Sequence, residues 1–443
     1  MRIIIVGAGS VGTHLAKLLA KEEQDIILMD PDDSKLEELA SYNLMTIVGN
    51  ATSIKDLKEA GVKNVDLFIA VTPYESQNIT ACMLAANLGA TKTLARIDNY
   101  EYLQEENKDF FKKLGVDELI YPEMLAAQEI VTALKKTWVR QWFELFGGAL
   151  ILLGVKIREN ALIVNHRLSE LSGKNNVYHI AAIKRKDKII IPKGNDKLLA
   201  DDLVYFTTTR EHIQDIRILA GKQEVEIKKV MIMGGSRIAI RTANYMPDSM
   251  QIKIIESDRD KSIRLVEKID DANIILGDAR DLDLLKDEGI NEIDAFIALT
   301  ESSETNILAC LSAKEFGVAK TIAEIENLSY ISMAENLNIG SVINKKLIAA
   351  SSIYQLLLAA DASNMKCLTL ASAEVAELIA KPGSKITQGP VKSLVLPKDL
   401  TIGGLIRDGK GMMVNGETEI KPNDHVLIFC LDTAIRKLEK LFN

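Results

Sequence analysis

Four cysteines in 443 residues, at positions 82, 310, 367 and 430, are too few and too scattered to staple a fold. None forms a C-x-x-C pair, so neither a zinc site nor a disulfide framework is signalled, and a reduced, cytoplasmic setting is expected. Aromatic residues make up only 5% of the chain, so its cores must be aliphatic. Long apolar runs are also missing. Stretches such as "GGALILLGV" are too short to span a bilayer, which predicts no direct membrane insertion. A positive balance is absent too. The formal net charge of -8 argues against nucleic acid as the main partner, because phosphate contacts need a basic surface. What the chain has in quantity is hydrophobic residues, at 47%, and a length that suggests about two to four domains.

The most informative feature is internal similarity. Residues 65–99, "VDLFIAVTPYESQNITACMLAANLGATKTLARIDN", align without gaps on residues 293–327, "IDAFIALTESSETNILACLSAKEFGVAKTIAEIEN". They match at 16 of 35 positions, among them Asp66/Asp294, Thr72/Thr300, Asn78/Asn306, Cys82/Cys310 and Gly89/Gly317. Upstream, "VGNATSIKDLKEAGV" parallels "LGDARDLDLLKDEGI", and "IIIVGAGSVG" parallels "VMIMGGSRIA". The second half duplicates the first.

Each half begins with alternating strands and helices. Short apolar runs such as "RIIIVG", "DIILMD", "LMTIVG" and "DLFIAVT" read as fully buried parallel strands, separated by helical patterns such as "SQNITACMLAANLG". That alternation predicts a doubly wound α/β sheet with right-handed crossovers. Each half then changes to strands and turns, as in "VYHIAAIKRKDKIIIPKG" and "DHVLIF", which predict a small α+β module. Gly194 precedes Asp202 by eight residues, as Gly416 precedes Asp424. The expected order is large–small–large–small, over residues 1–135, 141–225, 228–362 and 365–443.

Gly7, Ala8, Gly9, Ser10, Val11 and Gly12 form a G-x-G-x-x-G loop directly after a strand and before a helix, with Asp30 at the end of the next strand. Gly7 permits the tight turn, Gly9 leaves room for a pyrophosphate, and Gly12 lets helix and strand pack closely. The helix N-terminus offers free N–H groups and partial positive charge to phosphates. Asp30 has the chemistry to accept hydrogen bonds from a ribose diol. Later strand ends contribute Asn50, Ala51 and Thr52, then Thr72 and Pro73, then Arg96. Arg96 lies in an otherwise apolar strand and needs an anion, either a nucleotide phosphate or an internal carboxylate.

The copy keeps the turn and edits the site. Gly234, Gly235, Ser236, Arg237 and Ile238 form its loop, and Glu256 stands for Asp30. Ser236 replaces Gly9, Ala239 replaces Gly12, and Glu324 replaces Arg96. Ser236 would crowd a pyrophosphate and Glu324 would repel one, so the second site is expected to be weakened, altered in preference or lost.

With both glycine loops, Asp30 and the duplicated "AVT…N…ARI" stretch in view, the chain resembles the TrkA family over essentially its whole length. These are regulators of Trk-type potassium uptake built from tandem RCK (KTN) domains. The resemblance implies two Rossmann-like sheets, each followed by a small RCK C-terminal module, with NAD(H) and ATP/ADP as ligands. It also implies assembly into a ring, usually a homotetramer, docked on the cytoplasmic face of a potassium-translocating membrane subunit. It puts the nucleotide loop on Gly7 to Val11, the ribose carboxylate on Asp30, and further contacts on Thr72, Pro73 and Arg96. Asn50, where the family commonly has Asp, and the pair Pro73-Tyr74 depart from its pattern.

Two other functions would need residues of a different kind. An NAD-dependent oxidoreductase would need a general acid or base, and the histidines at 14, 166, 179, 212 and 425 have no repeat partners. A redox-sensing transcription factor would need a DNA-binding module and a basic face. Trp138, Trp142 and Phe143 cluster between the first large and small modules, where they suit either an assembly interface or packing between modules.

Overall fold

The apolar stretch Ile3–Val6 is buried on both faces, which only a central strand of a covered sheet allows. In the computed structural model it belongs to β1 (Arg2–Val6), paired in parallel with β2 (Asp25–Asp30) and β4 (Leu67–Ala70). The structure describes residues 1–20, 24–37, 39, 41–171, 177–186, 188–360, 365–370, 373–431 and 441–442. Part of the expected 365–443 module therefore lies outside the described residues.

With β3 (Met45–Val48), β5 (Lys92–Arg96) and β6 (Glu118–Ile120), the first sheet has the order β3-β2-β1-β4-β5-β6. The chain reverses direction of travel between β1 and β4, the switch point where doubly wound sheets bind ligands. β3 departs from the buried pattern expected of it. It is the edge strand, with β2 as its one neighbour, and Met45 and Val48 are 57% and 56% exposed.

The first small module follows as β7 (Gln141–Leu145), β8 (Leu150–Lys156), β9 (Tyr178–Arg185), β10 (Lys188–Ile190) and β11 (Leu203–Thr208), in the order β10-β9-β11-β8-β7 with antiparallel ladders. The copy of the large sheet comprises β12 (Lys229–Met233), β13 (Gln251–Glu256), β14 (Ala272–Leu276), β15 (Ala295–Ala298), β16 (Lys320–Glu324) and β17 (Ser341–Ile343). Its order, β14-β13-β12-β15-β16-β17, repeats the first sheet strand for strand. The last sheet, β18 (Met365–Leu370), β19 (Ala373–Ile379), β20 (Leu400–Arg407), β21 (Lys410–Met412) and β22 (His425–Leu431), has the order β18-β19-β22-β20-β21.

Contacts divide the chain into two units. One comprises Met1–Val131, Lys229–Ile331 and Val342–Leu356, and the other Thr132–Lys228, Ser332–Ser341 and Leu357–Asn443. The first unit thus holds both large sheets, and the second both small ones.

In the second unit the modules share a core. Leu150, Leu152 and Tyr205 from one pack with Leu427 and Phe429 from the other. Thr207 donates its hydroxyl to the Gly403 carbonyl at 2.7 Å, and His179 Nε2 lies 2.9 Å from Thr401 Oγ1. The repeated aspartates are structural. Asp202 holds Arg185 through two bonds of 2.8 Å, and Asp424 holds Arg407 through bonds of 2.9 and 2.6 Å. The Trp138 cluster takes part in packing within and between the small modules. Trp138 is buried in the first small module against Ile151, Leu153 and Phe206, and Trp142 packs on the same cluster. Phe143 packs on the core shared by the two small modules. Trp138 fills the module core, and Trp142 lies half-buried against it.

Candidate nucleotide site

The loop after β1 is shaped by two glycines for different reasons. Gly7 has φ +101°, a left-handed value that strains any other residue. Gly12 is in the first turn of the helix Ser10–Leu19, where a Cβ would overlap the Gly7 carbonyl oxygen. Gly9 has neither reason. Its φ is -76°, and a Cβ there would meet nothing within 4 Å. Packing does not demand glycine at this position, and the absence of a side chain leaves the loop open to close approach from outside.

Gly9 is also the N-cap of that helix and supplies no side-chain cap, which leaves the first-turn N–H groups without a capping side chain among the described residues. Ser10 is exposed, while Val11 is buried and anchors the turn. Asp30, 5% exposed at the end of β2, accepts from the Ala8 N–H at 2.7 Å and from the Asp32 N–H at 2.9 Å. Each carboxylate oxygen thus makes one backbone bond, and the Lys35 ammonium lies 3.8 Å from Oδ1, which leaves acceptor capacity on the carboxylate.

The other strand ends complete the crevice. The loop after β3 is tied to β2 by Gly49 N–H donating to Asp30 O at 3.1 Å. Asn50 Oδ1 accepts from the Thr52 N–H and hydroxyl at 2.9 and 2.8 Å, and Ala51 is buried beneath. A Cβ on Gly7 would lie 3.0 Å from Thr72 N, so the loops after β1 and β4 abut. Pro73 is exposed on the lip. Arg96 pairs with Asp98 at 3.3 Å, while its buried Nε has no hydrogen-bond partner among the described residues. An internal ion pair is therefore present, with donor capacity left over.

Sequence reasoning took Asn78 only as a repeat match. The structure gives it a role. The buried carboxamide accepts from the Thr72 N–H and hydroxyl at 2.9 and 2.7 Å, and donates to the carbonyls of Thr72 and Arg96 at 3.0 and 2.9 Å. It ties the end of β4 to the end of β5. Asn306 repeats all four bonds with Thr300 and Glu324. Cys82 and Cys310 are core residues whose thiols donate to the Leu94 and Ile322 carbonyls at 3.3 and 3.4 Å.

The second loop is built differently. Gly234 keeps the left-handed turn at φ +94°. Glu256 accepts from the Gly235 and Asp258 N–H groups at 2.7 and 2.8 Å, as Asp30 does in the first half. Ser236, however, caps its own helix, accepting from the Ala239 N–H at 3.3 Å. A Cβ on Gly235 would come 2.5 Å from Leu265 Cδ1, so glycine here serves packing under Leu265. Ile238 is buried. Arg237, at the position of Ser10, turns toward the first half, where its two terminal nitrogens lie 3.5 Å from Asp98 and 3.4 Å from Glu123. Burial opposes its charge, but Glu123 and Asp98 outweigh burial and hold the guanidinium above its ordinary value.

Glu324 does not stand alone as a repelling charge. Lys345 lies 3.4 Å from it and 2.6 Å from Glu326. Burial raises the Glu324 pKa, and Lys345 partly offsets that. The first-half arginine is thus replaced by a lysine from the next helix. The signal was present in "NKKL", which aligns with "YPEM" of the first half. The second loop also keeps a cavity of about 320 Å³ lined by Gly234, Ser236, Glu256, Lys261 and Arg280.

The TrkA-N domain family matches residues 3–122 and 230–345, and the TrkA-C domain family matches residues 152–221 and 375–443. The chain belongs to the TrkA family. The Trk system potassium uptake protein TrkA of Halomonas elongata is 31% identical over 450 residues, covering 100% of this chain and 98% of the relative. That of Haemophilus influenzae is 32% identical over 453 residues, with the same coverage. Among solved structures, the GsuK RCK domain superposes with a TM-score of 0.60 at 13% identity, covering 100% of this chain and 94% of that one. A GsuK channel bound to NAD also gives 0.60 at 13% identity, covering 78% of that chain. At this identity the likeness is one of fold. Among the described residues, no helix is long and apolar enough to cross a membrane.

Proposed function

We propose that the chain is the cytoplasmic, nucleotide-sensing regulatory subunit of a Trk-type potassium uptake system. The observation that carries the reading is the first loop. Gly9 is glycine without a packing reason, at an uncapped helix N-terminus, beside a carboxylate already oriented by Ala8 and Asp32. In this reading NAD(H) or ATP/ADP lays its phosphates over Gly7–Gly12 and its ribose on Asp30. The spare donor capacity of Arg96 serves a phosphate. The relatives named for potassium uptake and the NAD-bound GsuK channel support the class of ligand and of partner.

The nucleotide acts as a ligand and not as a reactant. It favours one conformation of a self-assembled ring, taken as a tetramer, only as far as it binds that conformation better, about 1–3 kcal/mol for such couplings. The ring conveys that bias to a potassium-translocating membrane partner. The second half, with Ser236 self-capped and Lys345 in place of Arg96, is the lesser input with its own ligand preference.

The test is potassium uptake in cells that lack their own TrkA but keep a Trk membrane subunit. Expression of the chain should restore uptake, and Asp30→Ala should change its dependence on the cell's nucleotide state. Sedimentation of the purified chain should give a tetramer. Restored uptake that Asp30→Ala leaves wholly unchanged would overturn the sensing role.

A further inference from the structure

The polar corner of the first small sheet gathers more positive charge than its surroundings neutralise. Ladder register sets Gln141, Gly154, Tyr205 and Ala182 in one row across β7, β8, β11 and β9. Two residues further along, on the same face, Lys156 and Lys184 flank Leu203. Arg140 and Arg158 lie just outside the ends of their strands. Both guanidinium groups donate to one neutral atom, the Oδ1 of Asn338, at 2.9 and 3.2 Å. Lys222 completes the group, and among the described residues its ammonium has no carboxylate partner. Burial pushes its pKa down to about 8, helped by the charges of Arg158, Arg140 and Lys156.

Among the described residues, two carboxylates answer these five cations. Asp201 lies 3.6 Å from Lys156 and 3.5 Å from Arg158, and Glu335 lies 2.6 Å from Lys184. An amide oxygen shared by two guanidinium groups satisfies geometry without supplying charge. The row beneath carries a second, independent sign of an absent partner. Tyr205 is 2% exposed, among the described residues its hydroxyl has no hydrogen-bond partner, and it senses the charge of Glu335. Gln141 Oε1, buried beside it against Gly154, is likewise unsatisfied. Buried polar atoms of this kind are costly unless something fills their valence. Asp201 and Arg158 are well exposed, so the corner opens to solvent at that side.

We propose that this corner is a binding site for a small phosphate-bearing anion of two or three negative charges, gripped by Arg140, Arg158 and Lys222 with the Tyr205 hydroxyl as a further donor. Paired guanidinium groups present planar N–H donors suited to phosphate oxygens, and an ammonium adds a point charge. The excess of cations matches a phosphomonoester or pyrophosphate better than a single carboxylate. The site is separate from the glycine loops, so its presence or absence leaves the proposed nucleotide crevice untouched.

The experiment titrates pyrophosphate into the full-length chain carrying Gly9→Asp, which caps and repels at the first loop, and follows heat and melting temperature. Saturable binding with a raised melting temperature is expected. Binding should weaken at least about tenfold in both Arg158→Gln and Lys222→Gln, half-exposed positions chosen so that the chain still folds. An ADP arm identifies the source: displacement of pyrophosphate by ADP assigns the phosphate to a nucleotide, and no displacement assigns it to free phosphates. Both results uphold the site. Absence of binding at millimolar pyrophosphate, or equal affinity in both variants, would overturn it. So would loss of assembly in the variants without any pyrophosphate binding, which would assign the corner to a carboxylate of a neighbouring copy.

Discussion

Asp98 stands between Arg96 and Arg237, with its Oδ1 3.3 Å from the first and 3.5 Å from the second. One arginine ends a strand of the first nucleotide fold, and the other begins the loop helix of the second. In the proposed binding mode a phosphate on Arg96 would compete with Asp98, and Arg237 would take up the charge released. Asp98→Asn should therefore raise nucleotide affinity at the first crevice by about three- to tenfold. Arg237→Gln leaves Asp98 to hold Arg96 alone and should lower that affinity by a similar factor. Calorimetric titration of NADH and ATP reads both, and shifts of the same sign in the two variants would refute the competition.

The glycines of the first loop should separate stability from binding. Gly12→Ala drives a methyl into the Gly7 carbonyl and should cost about 2 kcal/mol or more in urea unfolding. Gly9→Ser has open space and an ordinary φ, so stability should hold or rise slightly through capping. Its nucleotide affinity should fall about tenfold, as the new hydroxyl takes a helix N–H and stands in the phosphate path.

Asn78 should be worth more than an ordinary buried side chain. Asn78→Ala strips the Thr72 N–H of an acceptor and leaves the Thr72 and Arg96 carbonyls without their donor. A loss of about 2–4 kcal/mol is expected on unfolding. Asn306→Ala should cost about the same, because its four bonds repeat those of Asn78.

One histidine gives a pH signature. Burial pushes the His179 pKa down to about 4, and the neutral ring bonds Thr401. The unfolded chain takes up a proton near pH 6.5 that the folded ring refuses. His179 therefore adds nothing above that pH and makes the chain less stable as pH falls from about 6.5 toward 4. His179→Gln should flatten this part of the stability profile, read as the difference in urea midpoints between variant and parent.

Much of this architecture is legible in the sequence. Gly7, Gly9, Gly12 and Asp30 carry the fingerprint because each answers a local backbone or ligand constraint. The 35-residue self-match predicts a second sheet of identical order, since repeated side chains must fill repeated cores. The features that escaped depend on tertiary reach. Arg237 crosses to the other half, Lys345 answers Glu324 from the next helix, and Asn78 spans two strand ends. Such partners are distant in sequence and obey no period. The exposure of β3 is not legible because an apolar run does not reveal whether its strand lies at the edge of the sheet.

The central claim is that the first crevice is the principal nucleotide site and the second the lesser one. Calorimetric titration of NAD, NADH, ADP and ATP into the parent chain, Asp30→Ala and Glu256→Ala tests it most directly. Asp30→Ala should abolish or strongly weaken the tightest binding, with Glu256→Ala affecting only a weaker phase. Undiminished tight binding in Asp30→Ala, or its loss in Glu256→Ala alone, would contradict the claim.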